Sequence, residues 1–87
     1  MLKGATSSGF EYEIVDEALD NMELIDALAE LDSGKRLYIS RVLTMMLGEE
    51  QKKRLYEHCR NENGIVQVTS IEKEILDMLK ASETGKN

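Results

Sequence analysis

From Leu37 to Leu47 the chain is apolar almost all the way round a helix. Leu37, Tyr38, Ile39, Val42, Leu43, Met45, Met46 and Leu47 leave only a polar strip through Arg36, Ser40, Arg41 and Thr44. A surface helix keeps one polar face toward water, so a helix this apolar must be covered on more than one side. The requirement bears on the whole chain, because 87 residues form a domain that buries only a limited fraction of its surface. Either the other segments wrap this helix, or part of it is shared with a second polypeptide. Leu37, Tyr38, Leu43, Met45 and Met46 are the candidate contact residues in the second case.

Periodicity places the other segments. Phe10, Tyr12 and Ile14 alternate with Glu11 and Glu13, the period-2 pattern of a short half-buried strand. Its partner is either the first few residues, folded back through a turn at Ser7-Ser8-Gly9, or the Ile65-Val66-Gln67-Val68 stretch that follows Asn63-Gly64. After a short turn at 16–20, Met22, Ile25, Leu28, Ala29 and Leu31 recur at helical spacing behind Asp20-Asn21-Met22-Glu23, which has the form of a capping box with Asp at its head. Gly34 ends that helix. Gly48 separates the apolar helix from a narrower one that opens on Glu49-Glu50-Gln51, carries Leu55, Tyr56 and Cys59, and closes on Arg60. After a loop at Asn61-Glu62-Asn63-Gly64, Thr69-Ser70-Ile71-Glu72 reads as a capping box for a last amphipathic helix with Ile71, Ile75, Leu76, Met78 and Leu79, ending near Lys80. The expected fold is mainly α, a small bundle of about four helices with a short N-terminal strand or hairpin. Residues 1–9 are expected to be flexible, 10–80 to form one domain, and 81–87 to be a flexible polar tail.

Composition removes several classes of function. Cys59 is the single cysteine and His58 the single histidine, so neither an internal disulfide nor a Cys/His metal cluster is available, and no cofactor is implied. The opening residues lack the apolar core of a signal peptide, and no run approaches the roughly 20 apolar residues of a membrane span, which reads as a soluble, cytoplasmic chain. The net charge of −6 opposes general nucleic-acid binding. That charge is unevenly laid out. Residues 1–34 hold one base against nine acids, 35–60 seven bases against three acids, and 61–87 three bases against five acids. An acidic front and a basic middle suit the packing of one subunit on the next, and self-association is expected.

Catalytic constellations are absent from the pattern. His58 and Cys59 are neighbours on a helix and point about 100° apart, so they do not pair as base and nucleophile. The acids of 11–32 lack EF-hand spacing, and neither Gly34-Lys35 nor Gly85-Lys86 has the remaining residues of a phosphate-binding loop. Asp32-Ser33 resembles the modified Asp-Ser of acyl carrier proteins, but Gly34-Lys35-Arg36 follows where that family has Leu and an acidic helix. A DNA-binding reading of Lys52, Lys53, Arg54 and Arg60 meets an otherwise acidic surface.

The order of the pieces resembles a known family. The strand Phe10-Glu11-Tyr12-Glu13-Ile14, the turn Glu17-Ala18-Leu19-Asp20, Glu23-Leu24-Ile25-Asp26-Ala27-Leu28-Ala29-Glu30-Leu31, the apolar helix ending Leu47-Gly48-Glu49-Glu50-Gln51, then Leu55-Tyr56-Glu57-His58 and Asn63-Gly64-Ile65-Val66 before the last helix are similar to the small tail assembly chaperones of long-tailed phages and prophages of Gram-positive hosts. The resemblance spans about residues 10–80 and departs at Gln67, where many such chains have Pro. It implies a non-enzymatic protein of the host cytoplasm, absent from the finished virion. Such a protein coats the tape measure protein, keeps it soluble and gives way to the tail tube protein. The Met residues at 22, 45, 46 and 78 fit that role, since thioethers repack against varied partners. Chaperones of this kind are often made in two lengths by a frameshift, and Gly85-Lys86-Asn87 can be encoded by GGA-AAA-AAC, which contains a slippery heptamer. A generic helical adaptor or small regulatory protein-binding module is the alternative reading.

Overall fold

The computed structural model of the chain describes residues 1–84. Two strands, β1 (Leu2–Ala5) and β2 (Glu11–Ile14), precede four helices: α1 (Asp16–Leu19), α2 (Met22–Asp32), α3 (Ile39–Cys59) and α4 (Val68–Thr84). The architecture is the expected one, mainly helical with an N-terminal hairpin. One turn of 3-10 helix, Arg36–Tyr38, leads into α3.

Of the two partners open to the first strand, the hairpin is the one formed. β1 and β2 pair antiparallel, with Leu2 opposite Ile14 and Gly4 opposite Tyr12. The alternative partner contributes only an isolated bridge, Arg60 to Val66. Residues 1–9 therefore do not form the expected flexible arm. They supply a strand and a turn, closed by hydrogen bonds from the Gly9 amide to the Thr6 carbonyl and from the Thr6 amide to the Phe10 carbonyl, each 2.9 Å. Gly4 leaves room for its neighbour: a Cβ there would stand 2.8 Å from the Tyr12 hydroxyl, and the ring would have to shift.

The hairpin lies on α3 and α4, and its far edge is closed by a side chain. The Gln51 carboxamide accepts from the Glu13 amide and donates to the Glu13 carbonyl, both at 2.7 Å. It thus replaces the strand that the edge of β2 would otherwise recruit. The same amide group donates to the Leu47 carbonyl at 2.8 Å, capping the first arm of α3 where the helix breaks. The break is Gly48, at φ 79° and ψ 168°, a backbone region that only glycine occupies readily. Gly48 therefore interrupts the helix as its sequence position implied, and the two arms stay in one kinked element.

Boundaries differ from the pattern in three places. Asn21, not Asp20, caps α2: its side chain accepts from the Glu23 amide at 3.0 Å. α4 starts at Val68, so Thr69 and Ser70 sit in its first turn instead of at a cap, and it runs through Thr84 instead of ending near Lys80. Only residues 85–87 of the expected tail, including the Gly85-Lys86-Asn87 segment, lie outside the described residues.

The core joins every layer. Phe10, just before β2, Tyr12 and Ile14 from β2, Leu24 and Ala27 from α2, Val42, Leu43, Met46, Leu47 and Leu55 from α3, and Ile71, Ile75 and Met78 from α4 form one buried cluster. Both arms of α3 contribute, so the most apolar segment of the sequence is the centre of the fold.

Candidate functional site

The five residues proposed as a contact surface are divided by the structure. Leu43 and Met46 are enclosed in the core and offer nothing to a partner in this conformation. Tyr38 and Met45 are partly buried against that core. Leu37 alone is open to solvent, 96 % exposed on the 3-10 turn. The reason is that the hairpin, α2 and α4 pack around the 37–47 segment, which removes most of the excess apolar surface expected there. Of the methionines given an adaptable role, Met22 is exposed, whereas Met46 and Met78 are buried.

A shallow apolar groove lies elsewhere, between α2 and α4. Leu28 and Leu31 of α2 face Ile75, Leu76 and Leu79 of α4 across a groove of about 400 Å³, with Asp32 and Glu72 at its rim. Helical spacing explains each wall. Glu72, Ile75, Leu76 and Leu79 share one side of α4 at i, i+3, i+4 and i+7. On α2, Ile25, Leu28 and Asp32 follow at i, i+3 and i+7, so the exposed Ile25 extends the wall outward from the groove. The core-facing side of α2 is instead the one through Leu24 and Ala27. The helix thus carries two adjacent apolar strips, one inside the protein and one, through Leu28 and Leu31, packed partly on the core and partly open to the groove. Leu76, more than half exposed at 55 %, is its most accessible large side chain. The 3-10 turn closes one end, where Arg36 reaches Glu72 at 3.4 Å.

A polar cluster holds α4 in place from the opposite side. The Thr6 hydroxyl donates to Glu74 at 2.7 Å and the Ser8 hydroxyl to the second oxygen of the same carboxylate at 2.8 Å. Ser7 donates to Asp77 through its hydroxyl at 2.6 Å and its amide at 2.9 Å. Those two bonds, the hydroxyl's the larger, hold the Asp77 carboxyl below its ordinary range. Glu74 is 4 % exposed, and no buried side-chain polar atom among the described residues is left unpaired. A flexible polar opening was expected here. The signal in the sequence was the coincidence of a Thr-Ser-Ser run with two acids three residues apart on the last helix, and nothing in local periodicity links them.

The turn also brings Ser8 within 3.0 Å of His58 Nε2. The arrangement is not that of an activated nucleophile. Ser8 gives its one proton to Glu74, so His58 must donate to the serine instead of accepting from it, and the acid sits on the hydroxyl instead of orienting the imidazole. Cys59, next in the chain, is a partly buried thiol whose ionisation is pushed up by burial and, second, by the charge of Glu74. Such a thiol is a poor nucleophile.

No group of three or more His, Cys, Asp or Glu among the described residues is arranged to hold a metal ion. No helix among them is long and apolar enough to cross a membrane. Comparison of the chain with protein-family models, curated proteins and solved structures found no match.

Proposed function

We propose that the chain is a non-enzymatic binding protein of the tail assembly chaperone kind, which holds the tape measure protein of a long-tailed phage soluble in the host cytoplasm until the tail tube protein assembles around it. The observation that carries this reading is the α2–α4 groove, a solvent-open cleft between two helices with Leu76 exposed on its wall. The order of elements over about residues 10–80, compared above with that family, supports the same reading.

A holding function needs a client that is released later, which favours a shallow, solvent-open site over an enclosed one. It also fits a chain whose acidic front and basic middle let copies array beside one another on a long client. The test is co-expression with the tape measure protein from the same genome. The chain should co-purify with it and raise its soluble yield severalfold, and it should be missing from finished particles. Equal solubility with and without the chain rejects the role.

A further inference from the structure

We propose that Asn63 is a latent deamidation site whose conversion is held back by the folded loop between α3 and α4, so that it records time the loop spends open. The inference is independent of the binding role proposed above. Asn63 is followed by Gly64, and both residues are exposed in that loop. With no side chain on Gly64 to shield it, the Gly64 amide nitrogen can approach the Asn63 carboxamide. The step balances with water alone. The nitrogen gives up its proton to solvent and bonds to the side-chain carbonyl carbon of Asn63, the carbon–nitrogen bond of the carboxamide breaks, and ammonia leaves. Water then opens the cyclic imide at either carbonyl to give Asp or isoAsp, a net exchange of water for ammonia with no change of oxidation state.

The loop opposes both requirements of that step. The Gly64 amide, the attacking group, donates to the Asn61 carbonyl at 2.9 Å, so its proton is engaged. Ring closure also needs the Gly64 nitrogen to meet the Asn63 side chain, and since the peptide unit itself is planar and rigid, that unit must turn as a whole. It is held on both sides. The Asn61 side-chain oxygen accepts from the Asn63 amide at 2.9 Å and from the Ile65 amide at 3.0 Å, the clamp of an Asx turn. Arg60 donates to the Gly64 carbonyl at 2.8 Å, and the Asn61 amide to the Ile65 carbonyl at 2.9 Å. Arg60 and Val66 close the base of the loop with an antiparallel bridge. Turning the 63–64 peptide must therefore break several of these bonds together, which makes it a local opening event. The product does not return to the same loop. isoAsp lengthens the backbone by a methylene inside the bridged turn, and either acid adds a negative charge beside Glu62.

The test incubates the full chain in mildly alkaline buffer, folded and in urea, and follows the tryptic peptide of residues 61–73 by mass spectrometry with its Asp and isoAsp forms separated. The folded chain should convert at least about tenfold more slowly than the chain in urea. Asn61→Ala, checked for folding by circular dichroism, should convert severalfold faster than the native chain. Asn61→Asp keeps an acceptor oxygen for the Asn63 and Ile65 amides and should stay near the native rate. Hydrogen exchange on the native chain, which needs no variant, should show the Gly64 amide protected. Equal rates folded and in urea, or an unprotected Gly64 amide, overturn the gating, and no conversion in urea overturns the site. A folded Asn61→Ala chain no faster than native overturns the part given to the Asn61 clamp. Should that variant not fold, the urea comparison and the exchange of Gly64 decide.

Discussion

The hydroxyl of Thr6 donates a 2.7 Å hydrogen bond to the carboxylate of Glu74, across 68 positions of sequence, and both residues are buried. Thr6 also accepts from the Phe10 amide at 3.2 Å. This single hydroxyl therefore joins the hairpin turn to the helix that forms one wall of the groove. Thr6→Val keeps the shape and removes the donor, leaving a buried carboxylate one partner short. The expected cost is about 1–3 kcal/mol, read as a lower urea midpoint with an unchanged slope. Thr6→Ser should recover most of it.

Ser7 and Asp77 make the turn sensitive to acid. Asp77 is held below its ordinary value of 3.8 by the two hydrogen bonds from Ser7. As pH falls, the unfolded chain takes up this proton before the folded chain does. The contact's contribution is therefore complete above the ordinary value and is lost as pH drops through the depressed one. Thermal melts from roughly pH 5 to pH 2 should show a shallower decline for Ser7→Ala than for the native chain.

Cys59 should resist thiol reagents at neutral pH. Its ionisation is raised from 9.0 by burial first and by Glu74 second, and the thiolate is the reactive form. Reaction with an aromatic disulfide should be slower in the folded protein than in urea, and should accelerate only as pH passes the ordinary thiol value. Glu74→Gln, which removes the charge, should speed it.

Gly48 is the position where backbone geometry leaves no choice. At φ 79° and ψ 168° an added Cβ meets no neighbour, so the cost of Gly48→Ala is conformational and not steric crowding from the rest of the fold. It should be about 1–3 kcal/mol in chemical denaturation. A stabilised variant would mean that α3 runs straight through this point.

Two leucines of the apolar segment should separate cleanly. Leu43→Ala removes a fully buried side chain and should cost about 2–5 kcal/mol. Leu37→Ser should change stability by no more than about 0.5 kcal/mol. Client binding by the Leu43 variant should fall at equal total protein and recover at equal folded fraction, which assigns the loss to the fold and not to contact.

The helices and their breaks were legible because they are local. Phe10, Tyr12 and Ile14 alternate, α4 repeats at helical spacing, and Gly48 interrupts where only its residue type tolerates the backbone. The site was legible only in part. The stripe Met22, Ile25, Leu28, Ala29 and Leu31 is real, yet α2 is rotated so that Leu24 and Ala27 are the buried pair. Periodicity cannot choose between adjacent apolar strips on one helix, since the choice depends on what packs against each.

By itself the sequence determined most element types and the mainly helical class, which follow from side-chain pattern within a few turns of chain, and left open whether the 37–47 segment is wrapped by its own neighbours or shared with a second polypeptide. Tertiary structure decided which apolar side chains are enclosed and which remain open. The opening residues close back on β2 and bind Glu74 and Asp77, the apolar side chains of 38–47 are covered, and Leu37 and Leu76 remain open. Burial is a relation between residues distant in sequence, so no local pattern contains it.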